Sequence, residues 1–213
     1  MKRSVLILLL SIAVVHPVRS QWDTTGCVAS LCENITMTST SVGLMGLGVL
    51  ATYQPDVNRL AVSLRDELVL RDLPKRTFDN QLQYLPALTP VVLNLCGVKG
   101  RHDFKRLLIL EGGSYLLGMG WLNAFKYGIG IERPDHSAKN SFPSGHTCTA
   151  FTGAEVLRRE YGKEYPWIAV AGYTVATIVG LMRIYNNRHW AGDVLAGAGL
   201  GILSTTLVYW VLD

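Results

Sequence analysis

The chain has 213 residues, of which 49% are hydrophobic and only 17% charged, with a mean hydropathy of +0.23. Soluble domains carry about 25% charged residues, so this balance leans toward a membrane; it excludes a disordered chain and a nucleic-acid-binding tail. The formal charge of +4 does not describe a basic surface, because Lys2, Arg3 and Arg19 all precede the first acid, and without them 17 basic residues face 16 acidic ones.

At the N-terminus, Lys2 and Arg3 head an apolar run from Val5 to Val15, broken by Pro17. Val18-Arg19-Ser20 follows, which predicts a secretory signal peptide over residues 1–20. The alternative, an uncleaved anchor, fits less well because a span needs about 20 apolar residues. Cys27 and Cys32 come next, in what would be an oxidising compartment, where a disulfide is one option. Cys96 and Cys148 fall in apolar runs and are expected as small buried side chains.

Residues 21–79 are expected as an external helical segment. The stretch Ile35 to Gln54 is uncharged but rich in Ser, Thr and Gly, a weak span. Beyond Pro55, Val57, Leu60, Ala61, Leu64 and Leu68 recur at helical spacing among charges, the pattern of an amphipathic helix. That helix either packs on the bundle or lies in the membrane interface.

Residues 80–213 hold five helix candidates: Asn80–Val98, Leu107–Phe125, Ser144–Leu157, Tyr165–Met182 and Val194–Leu212. Three carry no charge at all, and Leu107–Phe125 has only Glu111. Strand-like alternation is absent, so the expected fold is all-α, a membrane helical bundle of five or six long helices.

Three clusters carry chemistry. Lys126 and Arg133 place two cations at the end of an apolar helix, where they are costly unless they meet an anion; the arginine fork suits phosphate. Pro143-Ser144-Gly145-His146 leads into a helical run, and Ser144 can cap a helix start whose N–H groups favour an anion. His189 and Asp193 stand four apart on one helix face, so the carboxylate can fix the imidazole tautomer and leave the other nitrogen free to attack. Arg183 adds a third cation. Each feature alone has an ordinary explanation: a snorkelling lysine, a helix cap, a structural hydrogen bond. Together they put three cations, two histidines and a carboxylate at the ends of apolar helices, where burial is expensive.

These clusters resemble the three-part signature of the type 2 phosphatidic acid phosphatase (PAP2) superfamily, which also holds vanadium haloperoxidases and bacterial acid phosphatases. That pattern is Lys, six residues, Arg-Pro; then Pro-Ser-Gly-His; then Ser-Arg, five residues, His, three residues, Asp. The first two parts match at Lys126, Arg133-Pro134 and Pro143 to His146. The third matches at Arg183, His189 and Asp193, with Met182 where the family usually has Ser, which removes one hydroxyl from the phosphate cradle. The gap from Pro134 to Pro143 is also shorter than usual. The resemblance implies a covalent mechanism with no metal and no cofactor. His189 would form a phosphohistidine with Asp193 holding its ring, and His146 would protonate the leaving oxygen and then activate water. Lys126, Arg133, Arg183 and the Ser144 and Gly145 amides would hold the phosphate oxygens.

The substrate class implied is a membrane lipid phosphate or pyrophosphate: phosphatidic acid, phosphatidylglycerol phosphate, undecaprenyl pyrophosphate or the phosphates of lipid A. The surroundings of the second and third clusters are similar to envelope phosphatases of Bacteroides-type bacteria, some of which act on lipid A. Three other readings share parts of this evidence. Haloperoxidases are usually much larger and soluble. A secreted, soluble, non-specific acid phosphatase would not carry such long uncharged runs. A lipid binder without turnover would not need His146, His189 and Asp193. No nucleic acid and no obligatory protein partner is indicated.

Topology follows by parity. The three clusters must converge, so Lys99 to Arg106 and Arg158 to Lys163 lie at the other end. As short basic loops these are expected in the cytoplasm. The site then faces the periplasm from a bacterial inner membrane, with five spans and Ile35 to Gln54 not crossing as a single span.

Overall fold

The computed structural model describes residues 24–54, 59, 62, 63, 66 and 75–213, with side chains from Val28. Among these are seven helices and no strand: α1 (Thr24–Tyr53), α2 (Asp79–Leu82), α3 (Leu85–Leu95), α4 (Phe104–Ile129), α5 (Gly145–Tyr161), α6 (Pro166–Tyr185) and α7 (Ala191–Leu212). Residues 33–213 form one compact unit, and residues up to 32 group separately. The signal segment at 1–20, the side chain of Cys27 and most of the amphipathic stretch after Pro55 lie outside the described residues.

The centre of the bundle is α5, packed against α3, α4, α6 and α7. Its run of Thr147, Thr149, Thr152 and Glu155 would suit lipid poorly, but neighbouring helices enclose it and all four are buried. Thr152 returns its hydroxyl to the Cys148 carbonyl, 2.9 Å away, which satisfies it within the helix. Backbones approach closely where glycine allows. A Cβ at Gly197 of α7 would stand 2.5 Å from the Ser144 carbonyl, and one at Gly153 of α5 would stand 2.6 Å from the Ala87 nitrogen. α4 begins on an Asp103 cap, whose carboxylate accepts from the Arg106 N–H, and ends on Gly130 in the left-handed region at φ 67°.

Three expectations need correction. The uncharged run Asn80–Val98 is not one span. It breaks at Gln83–Tyr84 into the four-residue α2 and the 11-residue α3, and at about 1.5 Å per residue α3 falls far short of a bilayer. Pro86 favours a helix start, and Pro90 lacks the N–H that would bond the Pro86 carbonyl.

Second, Ile35–Gln54 belongs to the bundle. Val28–Tyr53 is long and apolar enough to cross a membrane, as are α6 and α7. Three of its hydroxyls bond back along the helix, Thr40 to the Thr36 carbonyl at 2.9 Å, Ser41 to the Met37 carbonyl at 2.6 Å and Thr52 to the Gly48 carbonyl at 2.9 Å, which lowers their cost in lipid, whereas Thr38 Oγ1 is buried without a hydrogen-bond partner among the described residues. Ser41 faces Gly199, and Gly48 faces Gly192, so α1 runs antiparallel to α7. Glu33 meets Arg158 at 2.8 Å and Asn34 meets Arg159 at 3.0 Å at the far end of α5. Glu33 therefore stands at the end of the bundle that holds Arg101 and Lys163, and Thr52, beside Gly192, stands toward the other end.

Third, Arg158 and Arg159 are not loop cations. They lie in the last turn of α5 and fold inward onto the buried Glu155, at 2.7 and 2.8 Å. Cys148 is buried as expected, whereas Cys96, just beyond α3, is exposed.

Candidate active site

The eight residues singled out by the sequence come from four helices and the loops beside them: Lys126 from the last turn of α4, Arg133 from the loop after it, Ser144, Gly145 and His146 from the start of α5, Arg183 from the last turn of α6, His189 from the loop before α7 and Asp193 from the first turn of α7. Hydrogen bonds tie these elements at one end of the bundle. Asn140 joins the first cluster, since its carbonyl accepts from Lys126 Nζ at 2.6 Å and its Oδ1 from Arg133 Nε at 2.9 Å. The Ser144 N–H donates to the Asp193 carbonyl at 2.9 Å, which joins the second cluster to the third. The α5 start packs closely on α4 at Gly145, where a Cβ would stand 3.3 Å from Leu122 Cδ2, with the Lys126 stem in ordinary contact at 4.0 Å.

Ser144 is the N-cap of α5. Its Oγ accepts from the Thr147 hydroxyl at 2.9 Å and, at 3.5 Å, from the Thr147 N–H. Its own amide is spent on Asp193, so the Gly145 and His146 amides, ahead of the first Cys148 to Ser144 helical bond, are the ones the helix start presents to an anion.

His189 is 1% exposed. Its Nδ1 lies 3.4 Å from Asp193 Oδ2 and 3.4 Å from Ser141 Oγ, so Nε2 points away from both. Burial lowers the imidazole pKa, the bond and charge of Asp193 oppose that, and Arg183 and Lys126 push it down further. A neutral ring with one nitrogen held and the other available is the state a nucleophile needs. Asp193 Oδ2 also accepts from the Trp190 N–H at 2.9 Å, which closes the first turn of α7.

Several residues of the site were not anticipated. Asp79 on α2 is buried and accepts from Arg183 NH1 at 2.6 Å. Its neighbour Asn80 places Oδ1 2.8 Å from His146 Nε2. Asn186 binds both the N–H and the carbonyl of Arg76, at 3.1 and 2.6 Å, and so docks that strand of chain on the site. Ser141 reaches Asp193 Oδ2 at 2.5 Å. A buried Asp beside a motif Arg is the one signal that sequence could have offered, since Asp79 opens an otherwise uncharged run. Arg183 Nε is buried and has no hydrogen-bond partner among the described residues, a donor remaining for an anion.

The arrangement can therefore bind a tetrahedral anion between three cations and a helix start, with an imidazole nitrogen beside it. Comparison with known proteins agrees. Residues 112–213 match the PAP2 superfamily model. A lipid A 1-phosphatase of Porphyromonas gingivalis is 47% identical over 136 residues, 63% of this chain and 31% of that protein. Phosphatidylglycerophosphatase B of Bacillus subtilis is 35% identical over 137 residues, 58% of this chain and 65% of its own length. The chain thus spans less than two thirds of either relative. A crystal structure of a transmembrane PAP2-type phosphatidylglycerolphosphate phosphatase from Bacillus subtilis superposes with a TM-score of 0.60 at 24% identity, covering 82% of this chain and 94% of that one. It establishes the likeness of fold.

Proposed function

We propose that this chain, whose residues 112–213 match the PAP2 superfamily model, belongs to that superfamily and hydrolyses the phosphate of a membrane lipid through a phosphohistidine. The observation that carries the reading is the buried His189, held on its Nδ1 side by Asp193 and Ser141 at the focus of Lys126, Arg133, Arg183 and the α5 start. His189 Nε2 attacks phosphorus and the bond to the leaving oxygen breaks. His146 supplies the proton to that oxygen. It then takes a proton from water, whose oxygen attacks the phosphohistidine and frees phosphate and His189. The three cations and the helix start match the charge on the equatorial oxygens. Met182 precedes Arg183 without a hydroxyl, which leaves Ser144 as the hydroxyl of the cradle.

A lipid substrate is supported by the site's place at the end of a bundle with three helices apolar enough to span a membrane. This disfavours the soluble acid phosphatase. The identity to the Porphyromonas protein ranks lipid A first among candidates, ahead of phosphatidylglycerol phosphate, phosphatidic acid and undecaprenyl pyrophosphate. The opposite end carries Lys99, Lys105, Arg106 and Lys163, which supports placing it in the cytoplasm and the site on the outer face of a bacterial inner membrane. Purified chain in detergent, assayed for phosphate release from these four lipids, tests the reading. Lipid A should be the best substrate, His189→Ala should reduce release to background, and vanadate should inhibit as a five-coordinate mimic. A His189→Ala variant at wild-type rate would end the covalent mechanism.

A further inference from the structure

We infer that Ser141 is a positioning residue for the nucleophile, acting through Asp193 to keep His189 aligned and neutral. The serine is fully buried in the loop between α4 and α5. Its place is fixed by its own N–H, which donates to the Ile131 carbonyl at 2.9 Å. Its hydroxyl donates to Asp193 Oδ2 at 2.5 Å, and the same oxygen lies 3.4 Å from His189 Nδ1. The direct His189 to Asp193 separation is also 3.4 Å, beyond the usual range of about 2.7–3.2 Å for an N–H···O bond. Asp193 Oδ2 therefore receives the Ser141 hydroxyl and the Trp190 amide more closely than it receives the histidine. Asp193 Oδ1 is buried with no hydrogen-bond partner among the described residues, so the carboxylate's orientation rests on the two donors to Oδ2.

Two effects follow. The Ser141 hydroxyl fixes the rotamer of the carboxylate that orients the ring. It also draws off part of the negative charge that would otherwise favour an imidazolium. Among the described residues, the charged and titratable groups around His189 are Lys126 from α4, Arg133 from the loop after it, His146 from α5, Arg183 from α6 and Asp193 from α7. A change at Ser141 leaves all of these in place, so it reads the serine's own contacts, to the Asp193 carboxylate and to the His189 ring.

This inference rests on His189 being the nucleophile of a lipid phosphatase. The test uses the full chain in detergent with a phosphorylated lipid, comparing wild type, Ser141→Ala, Asp193→Asn and the double variant. Ser141→Ala should lower kcat by about 10- to 100-fold with little change in KM, the size of effect that misplacing a reacting group produces. Its acid limb in kcat/KM should move upward by about half a pH unit or more, because the unmasked carboxylate favours the imidazolium. The double variant should be no slower than Asp193→Asn alone, since residues acting as one unit do not add. Ser141→Cys keeps the packing but donates weakly, so it should reproduce the limb shift even if the alanine variant folds poorly. A merely structural serine would lower the melting temperature and leave the limb where it was. Wild-type kinetics in Ser141→Cys, or additive losses in the double variant, overturn the inference. An inactive wild type overturns the phosphatase reading and this inference together.

Discussion

Replacing Asp79 by Ala strips the counterion from Arg183, a buried guanidinium whose contact to that carboxylate is 2.6 Å. Both side chains are more than nine-tenths buried, so solvent cannot take over the lost partner. Removing one member of such a pair costs about 3–5 kcal/mol, mostly the penalty of a buried unpaired charge. For a chain of this size, that lowers the melting temperature by roughly 6–20 °C. Thermal unfolding of purified protein in detergent, followed by tryptophan fluorescence, measures it. Two companions separate the cause from loss of packing. Asp79→Ala with Arg183→Met replaces the pair by apolar groups and should recover most of the stability while remaining inactive, since Arg183 is then missing from the cradle. Vanadate should raise the melting temperature of Asp79→Ala more than that of wild type, because the anion supplies the missing charge. An Asp79→Ala protein that melts within about 2 °C of wild type would refute the reasoning, as it would mean a loss of under about 1 kcal/mol.

Further outcomes follow from the same geometry. His189 must be neutral to attack, and its pKa lies below the ordinary imidazole value; activity is then retained as pH falls through about 6.5 and lost only below it, so an acid-limb midpoint in kcat/KM at or above 6.5 would contradict the burial argument. Gly197→Ala forces a Cβ to 2.5 Å from the Ser144 carbonyl, so α5 and α7 must part; a loss of about 1–3 kcal/mol in melting experiments and a fall in kcat are expected, and unchanged kinetics would show that the cap has slack. In intact cells, single cysteines at the exposed positions Lys75 and Lys139 should react with an impermeant reagent, and one at Lys163 should react only after permeabilisation. The reverse pattern would put the site in the cytoplasm.

The helices that carry the three clusters could be read from the sequence, because long uncharged runs bounded by Pro, Gly and charge have few alternatives to a buried or lipid-facing helix. α4, α6 and α7 lie where those runs predicted them. The gathering of the candidate site residues was legible for a related reason. Their cost at helix ends is a local property of type and spacing, and Lys126, Arg133, Ser144, Gly145, His146, Arg183, His189 and Asp193 all come from the end of the bundle where the tertiary structure joins the clusters. What the tertiary structure alone decided are the partnerships between distant segments. Asp79 meets Arg183 across 104 residues, Asn80 meets His146 across 66, and Ser141 meets Asp193 across 52. No periodicity reports such contacts, because they depend on which helix faces meet. The same holds for α1 and for the run Asn80–Val98. Its Ser, Thr and Gly content made α1 read as a weak span, although Thr40, Ser41 and Thr52 bond to their own backbone. Hydropathy ranked the second run as a strong span because it cannot see that a turn at Gln83–Tyr84 is needed to bring Asp79 and Asn80 to the site while α3 packs on α5.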